Sequence, residues 1–348
     1  MIQVVKTTTT NEHAHGSVFA NGKFYLTTRT NPSYLIEVDY DLNVRLTPLG
    51  DQDGEDLEYV SNKLIVVCKK NIVIVDPDSL SVLNKIQPLG LSLYSDSAPM
   101  SIEKFDENSM FVSYSYYNRP RTYVSRFYNY ELNEKYNTLT LNKVTEVSGW
   151  GAMHVSKSYN GLIYGAGYLF MPDKTVAMKV DKELNVTEKE IGNGIITDDG
   201  SILNDKLYLF SESLDRMVVL SLDTLDVLKV VDLPYQRQPE DPAEGEPIPG
   251  YANDVYDGLL FVTTPGDEII VIDPESDEIL TSTKINGMRY ADELKFGDDG
   301  YFIVTNWYDG KVFLCRYSGE IEELATLKIQ TTPSGAKVYV DGVYKGDT

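Results

Sequence analysis

The chain has 348 residues, with 53 Asp and Glu against 31 Lys and Arg, a formal net charge of −22 at pH 7. That balance argues against a nucleic-acid partner, which would require cations to neutralise phosphate. No apolar run approaches the ~20 residues that cross a bilayer, so direct membrane insertion is not expected.

Residues 1–10, MIQVVKTTTT, read as a β-strand. The opening Met1 to Lys6 lacks the apolar h-region of a secretory signal, which leaves a cytoplasmic chain, one assembled there into a particle, or a processed chain as the readings. From Lys23 a pattern begins that recurs along the chain: a β-branched strand, a turn, a second strand that in its clearest forms ends in Val-Asp-Pro or Ile-Asp-Pro, a turn, and a third strand. Further copies start at Leu64, Ser109, Leu162, Leu207, Gly258 and Tyr301, giving seven. Each follows a small polar turn: Asn21-Gly22, Ser61-Asn62, Glu107-Asn108, Asn160-Gly161, Asn204-Asp205, Asp257-Gly258 and Asp299-Gly300. A period of about 40–50 residues with four strands per unit predicts an all-β fold, a β-propeller of seven blades over residues 1–329. One terminus should close the ring by supplying a strand to the last blade, either Ile2–Lys6 or Ile321–Ile329.

The Val271-Ile-Asp-Pro274 strand, the Val262–Thr264 run and Val304-Thr305-Asn306 of the last copy resemble the YVTN class of propellers found in bacterial and archaeal surface proteins. The resemblance is to a repeat pattern over some 300 residues and implies the fold more than a function. The segment 330–348 is similar to the opening of a PEGA domain, a small β module often found on surface proteins. Pro333, Gly335, Ala336, Val338, Val340, Asp341, Gly342, Gly346 and Thr348 carry the match. Asp341-Gly342 between VYV and VYK is a hairpin signal in its own right. The family pattern continues into further strands where this sequence stops; a lone hairpin is unstable in water, so the expectation is that either the rest was cut away or these strands dock on the propeller or on another chain that completes them.

Two insertions interrupt the period. Between Tyr114 and Tyr136 the third copy interleaves Arg119, Arg121 and Arg126 with seven Tyr and one Phe. Exposed Tyr and Arg make large, rigid contact surfaces, so Tyr114, Tyr116, Arg119, Arg121, Tyr123, Arg126 and Tyr128 are the candidate ligand-binding residues for a protein or glycan. The alternative is that the rings fill space between blades. Leu233–Asp254, with five Pro and five acidic residues, is an extended loop unable to join a ladder.

No G-x-S-x-G, H-E-x-x-H or Walker loop is present, which favours a non-catalytic protein. The cysteines, Cys68 and Cys315, lie in apolar strands and read as packing residues. Eight positions before the second strand of each copy stand His15, Glu55, Ser101, His154, Asp198, Tyr251 and Glu293. In a propeller they would ring one mouth of the channel, where His15, Glu55, His154, Asp198 and Glu293 could ligate a divalent metal; no other cofactor is implied. A water-filled channel would need the same polarity. The expected function is a non-catalytic recognition or structural propeller displayed on a cell surface or viral particle. The alternative is a propeller enzyme, lyase or hydrolase, working at the channel mouth with His15 and His154.

Overall fold

The computed structural model describes residues 1–10, 13–91, 97–118, 122–148, 155–169, 174–193, 197–211, 213–235, 238, 250–319, 337–340 and 343–347. Strands in the repeats carry apolar residues at consecutive positions because both faces of each sheet are covered. Leu64 and Val66 pack toward Tyr25 and Leu35 on one side, while Ile65 and Val67 pack toward Met110 and Val112 on the other.

Seven four-stranded antiparallel sheets result. After an N-terminal strand β1 (Ile2–Thr9), the first blade holds β2 (Ala14–Ala20), β3 (Lys23–Thr28), β4 (Tyr34–Val38) and β5 (Val44–Pro48). The second holds β6 (Asp56–Val60), β7 (Lys63–Val67), β8 (Ile72–Val75) and β9 (Val82–Ile86). The third is built from β10 (Ser97–Lys104), β11 (Ser109–Asn118), β12 (Thr122–Asn133) and β13 (Thr138–Ser148), and the fourth from β14 (Val155–Tyr159), β15 (Leu162–Leu169), β16 (Lys174–Val180) and β17 (Val186–Gly192). The fifth comprises β18 (Thr197–Leu203), β19 (Lys206–Ser211), β20 (Arg216–Ser221) and β21 (Val227–Asp232). The sixth comprises β22 (Asn253–Tyr256), β23 (Leu259–Thr263), β24 (Glu268–Asp273) and β25 (Glu278–Lys284). The seventh combines β26 (Ala291–Phe296), β27 (Tyr301–Asn306) and β28 (Lys311–Tyr317) with β1 as its outer strand, and β29 (Lys337–Val340) pairs with β30 (Val343–Asp347) in a separate hairpin.

Innermost strands neighbour one another in the order β2, β6, β10, β14, β18, β22, β26 and back to β2. Seven apolar clusters occupy the joints between successive sheets, including the joint of the last with the first. The chain is therefore a seven-bladed β-propeller, and its second strands start within one residue of the positions the repeat predicts. Of the two candidate closures, the N-terminal one forms: β1 pairs antiparallel with β28, Ile2 opposite Tyr317 and Thr9 opposite Lys311. Ile321–Ile329 lie outside the described residues.

Local chemistry explains the punctuation. Asn21, Ser61, Asn160, Asn204, Asp257 and Asp299 all have positive φ, the backbone that two-residue hairpins need. The Asp of the repeated Asp-Pro pair caps its turn. Asp76 Oδ1 accepts the Ser79 and Asp78 N–H groups, and Asp273 Oδ1 accepts that of Glu275, which holds both carboxyls below their ordinary range. Cys68 and Cys315 are buried, unpaired thiols inside two of the joints, as their apolar surroundings suggest.

Candidate functional site

The inner strands aim carboxylates down the axis. Asp56, Glu58, Glu103, Asp199, Asp254 and Glu293 interact there with the ammonium groups of Lys157 and Lys295. Several of these carboxylates also join blades: Asp56 Oδ2 accepts the Ile102 N–H at 3.0 Å, Glu103 Oε2 that of Ser158 at 3.2 Å, Asp199 Oδ2 that of Asn253 at 3.0 Å and Asp254 Oδ2 that of Phe296 at 2.9 Å. Lys157 lies 3.4 Å from Asp199, and Lys295 lies 3.4 Å from Asp254.

With these six carboxyls facing Lys157, Lys295 and, 3.2 Å from Glu58, Lys104, the ionisation equilibria move. Burial, reinforced by Glu58, pushes Glu103 up to about 8, and burial with Asp199 pushes Glu293 up to about 8. Burial lifts Asp56 to about 6 against the pull of the Ile102 N–H and Lys157. Burial also works against the Lys157 ammonium, but Asp199, Glu103, Asp56 and Asp254 outweigh it and hold its pKa above the ordinary lysine value.

At the end where inner strands begin, a cavity of about 100 Å³ is lined by His15, Ser17, Asp56, Lys157, Asp199 and Glu293, among others. His15, Asp292 and Glu293 converge here, one ligand atom from each within 4.8 Å of the others. His15 Nδ1 is 2.9 Å from the Glu55 carbonyl oxygen, and Ser17 Oγ donates to Glu293 Oε2 at 2.5 Å. Trp307 stands beside them, its ring 5.7 Å from His15 and beneath the Arg29 guanidinium at 5.9 Å.

Of the predicted metal ligands, His15 and Glu293 come together. Glu55 stays beside His15, its Oε1 3.9 Å from Nε2, but is not part of the converging group: Arg29 takes both of its carboxylate oxygens, and its side chain is 5% exposed. His154 lies outside the described residues, and Asp198 is described only as part of β18. Ser101 is turned to Ser113 at 2.7 Å, and the Tyr251 hydroxyl donates to Asp215 at 3.0 Å.

In the fifth and seventh blades a bulge displaces the count. Inner strands of alternate blades carry a bulge, between His15 and Ser17, Pro99 and Ser101, Thr197 and Asp199, and Ala291 and Glu293. A bulge adds one residue and breaks the alternation on which position counting relies. That is why Asp199 lines the axis and why Asp292 joins Glu293 at the mouth. The acidic pairs Asp198-Asp199 and Asp292-Glu293 mark two of these bulges in the sequence, whereas β6 is unbulged and presents Asp56 rather than Glu55 to the axis.

The tyrosine-rich stretch is corrected more sharply. Tyr114, Tyr116 and Tyr128 are fully buried in the joint between the second and third blades, so they present no contact surface. Tyr114 donates to the Cys68 carbonyl at 2.8 Å, Tyr116 and Tyr128 share a hydrogen bond at 2.7 Å, and Tyr128 reaches the Leu89 carbonyl at 3.1 Å. Arg126 stacks over Tyr116 at 5.4 Å and is tied to Glu146, its side chain 12% exposed. Arg119 and Arg121 lie outside the described residues, and of Tyr123 only its place in β12 is described. The rings fill space between blades, the alternative that strand propensity allowed.

Residues 324–348 match the PEGA domain. No curated protein matches the chain in sequence. Solved structures share the ring: a streptogramin B lyase, at TM-score 0.65 and 11% identity, covers 91% of this chain and 97% of its own. BamB from Moraxella catarrhalis matches at TM-score 0.58 and 10% identity, over 91% of this chain and 100% of its own. A catalytically inactive variant of virginiamycin B lyase from Staphylococcus aureus, determined with quinupristin, matches at 0.65 and 11%, over 91% and 99%. At these identities the likeness is one of fold.

Proposed function

We propose that this propeller is a non-catalytic recognition module that binds a protein partner across the face on which the inner strands begin. The observation that supports this is the inequality of the two faces. Inner and second strands are joined by two-residue turns such as Asn21-Gly22 and Asp257-Gly258 in five blades and by four residues in the third and seventh, all on one face. The opposite face carries longer connections, including residues 29–33, 49–55 and 285–290, together with the channel mouth. The third blade also extends on that side: β11 has 10 residues, against 5 for β7 and 8 for β15 in the adjoining blades. Two to five extra residues lengthen that strand by about 7–16 Å relative to the adjoining second strands. Loops on a rigid scaffold are where recognition concentrates. Display at a cell surface or on a viral particle belongs to the same proposal, supported by the PEGA-like segment.

Cross-linking of the chain in its native assembly tests the reading. Lys69, Lys174 and Lys311 mark the long-loop face, and Lys23, Lys63 and Lys206 mark the other. Inter-protein cross-links are expected from the first set, and cross-links confined to the second would overturn the assignment. Glycan-array binding without inter-protein cross-links would move the partner class to a glycan.

A second reading, an enzyme of lyase or hydrolase type, draws on one observation, the convergence of His15, Asp292 and Glu293 beside a cavity. It requires turnover of some substrate that His15→Ala abolishes while the fold is retained.

A further inference from the structure

The chain crosses from the seventh blade to the first between β1 and β2, while the ring itself closes without a covalent link inside the seventh blade, where β1 pairs with β28. The mouth cluster sits at the joint of these two blades: His15 and Ser17 come from β2, and Asp292 and Glu293 from β26. Nδ1 of His15 faces the Glu55 carbonyl, so that nitrogen carries the proton and the lone pair falls on Nε2, the arrangement by which metal-bound histidines are oriented. Ser17 orients the Glu293 carboxylate from the same strand as the histidine. The adjoining cavity of about 100 Å³ has room for waters to complete a coordination sphere.

We propose that His15, Asp292 and Glu293 hold a divalent first-row cation, Mn²⁺ or Zn²⁺, that clasps the last blade to the first. An imidazole with two carboxylates suits these ions, whereas Ca²⁺ takes six to eight oxygens. Three ligands about 2.1 Å from one centre lie ~3.0–3.6 Å apart, so donor atoms within 4.8 Å of one another can reach a common ion by side-chain shifts of up to about 0.7 Å each. The clasp holds whether or not the recognition reading does, because it rests on the seam residues alone.

The test uses the full chain, stripped with chelator and titrated with MnCl₂ and with ZnCl₂. One equivalent should bind by equilibrium dialysis, and the thermal midpoint should rise with free cation as linkage requires. Asp292→Asn and His15→Ala should each weaken binding at least tenfold, while Glu146→Gln, an acidic control on the third blade, should not. Absence of saturable binding to either ion, or equal binding in the seam variants, would overturn the clasp. Should those variants fail to fold by circular dichroism, the wild type still decides: the chain has three histidines, and substoichiometric Mn²⁺ should broaden at least one of their ring resonances. No broadening would end the proposal.

Discussion

Glu103 meets Glu58 and Asp56 in the channel with Lys157 and Lys295 as the opposing charges, and burial leads the forces that raise its pKa from 4.5 to about 8. The native state therefore binds more protons than the unfolded chain between those values, so this group's contribution is complete below about 4.5 and is lost as pH rises through 8. Glu103→Gln keeps an acceptor for the Ser158 N–H but has no charge to bury. It should flatten the fall in stability across that window and stabilise the protein at pH 9 by on the order of 1–3 kcal/mol, read from urea melts at several pH values. Gly16 is the opposite kind of residue, one that admits almost no change. Its φ is +59°, and a Cβ there would stand 2.6 Å from the Glu55 carbonyl oxygen and 2.8 Å from the Asp56 Cα. Gly16→Ala should cost roughly 2 kcal/mol or more and loosen the channel mouth, seen as a lower denaturation midpoint.

Strands and turns were the most legible parts of the chain, because their causes are local. Consecutive Val, Ile and Leu mark sheets covered on both faces, and Asn-Gly or Asp-Gly marks the positive φ of the inner hairpins. The axial residues were less legible, since the bulges at Gly16, Met100, Asp198 and Asp292 shift the face on which a side chain emerges without changing the spacing of the turns. The fate of Tyr114, Tyr116 and Tyr128 depended on distant partners. Their burial is set by the carbonyls of Cys68 and Leu89 and by the second blade, which no local pattern announces. Closure had two candidates in the sequence, and the observed one makes β1 a seal on the edge of β28. Removing residues 1–9 should expose that edge, lower the thermal midpoint by several degrees or more and promote self-association. Light scattering and melting curves check this, and an unchanged monomeric midpoint would count against it.

At the scale of the whole ring, each blade is buried only by its neighbours, so opening one joint exposes two apolar faces. Cys68 lies between the first and second blades and Cys315 in the seventh, both fully buried, with burial pushing the Cys315 thiol up to about 12 and Cys68 higher still. A ring that opens as one unit should expose both thiols at the same denaturant concentration. Labelling followed by mass spectrometry should show the two sites reacting together, with distinct midpoints expected instead if blades open singly. The Ser318 N–H donates to the Met1 carbonyl at 3.1 Å, which sets the entry and exit of the propeller side by side on its outer rim. A tether fastened beyond residue 319 would thus deliver its load to β28 and its zipper with β1, leaving the axis and the long-loop face untouched by the pull. The module can be held by one edge and still present its mouth freely, as a wheel does when gripped at the tyre and read at the hub.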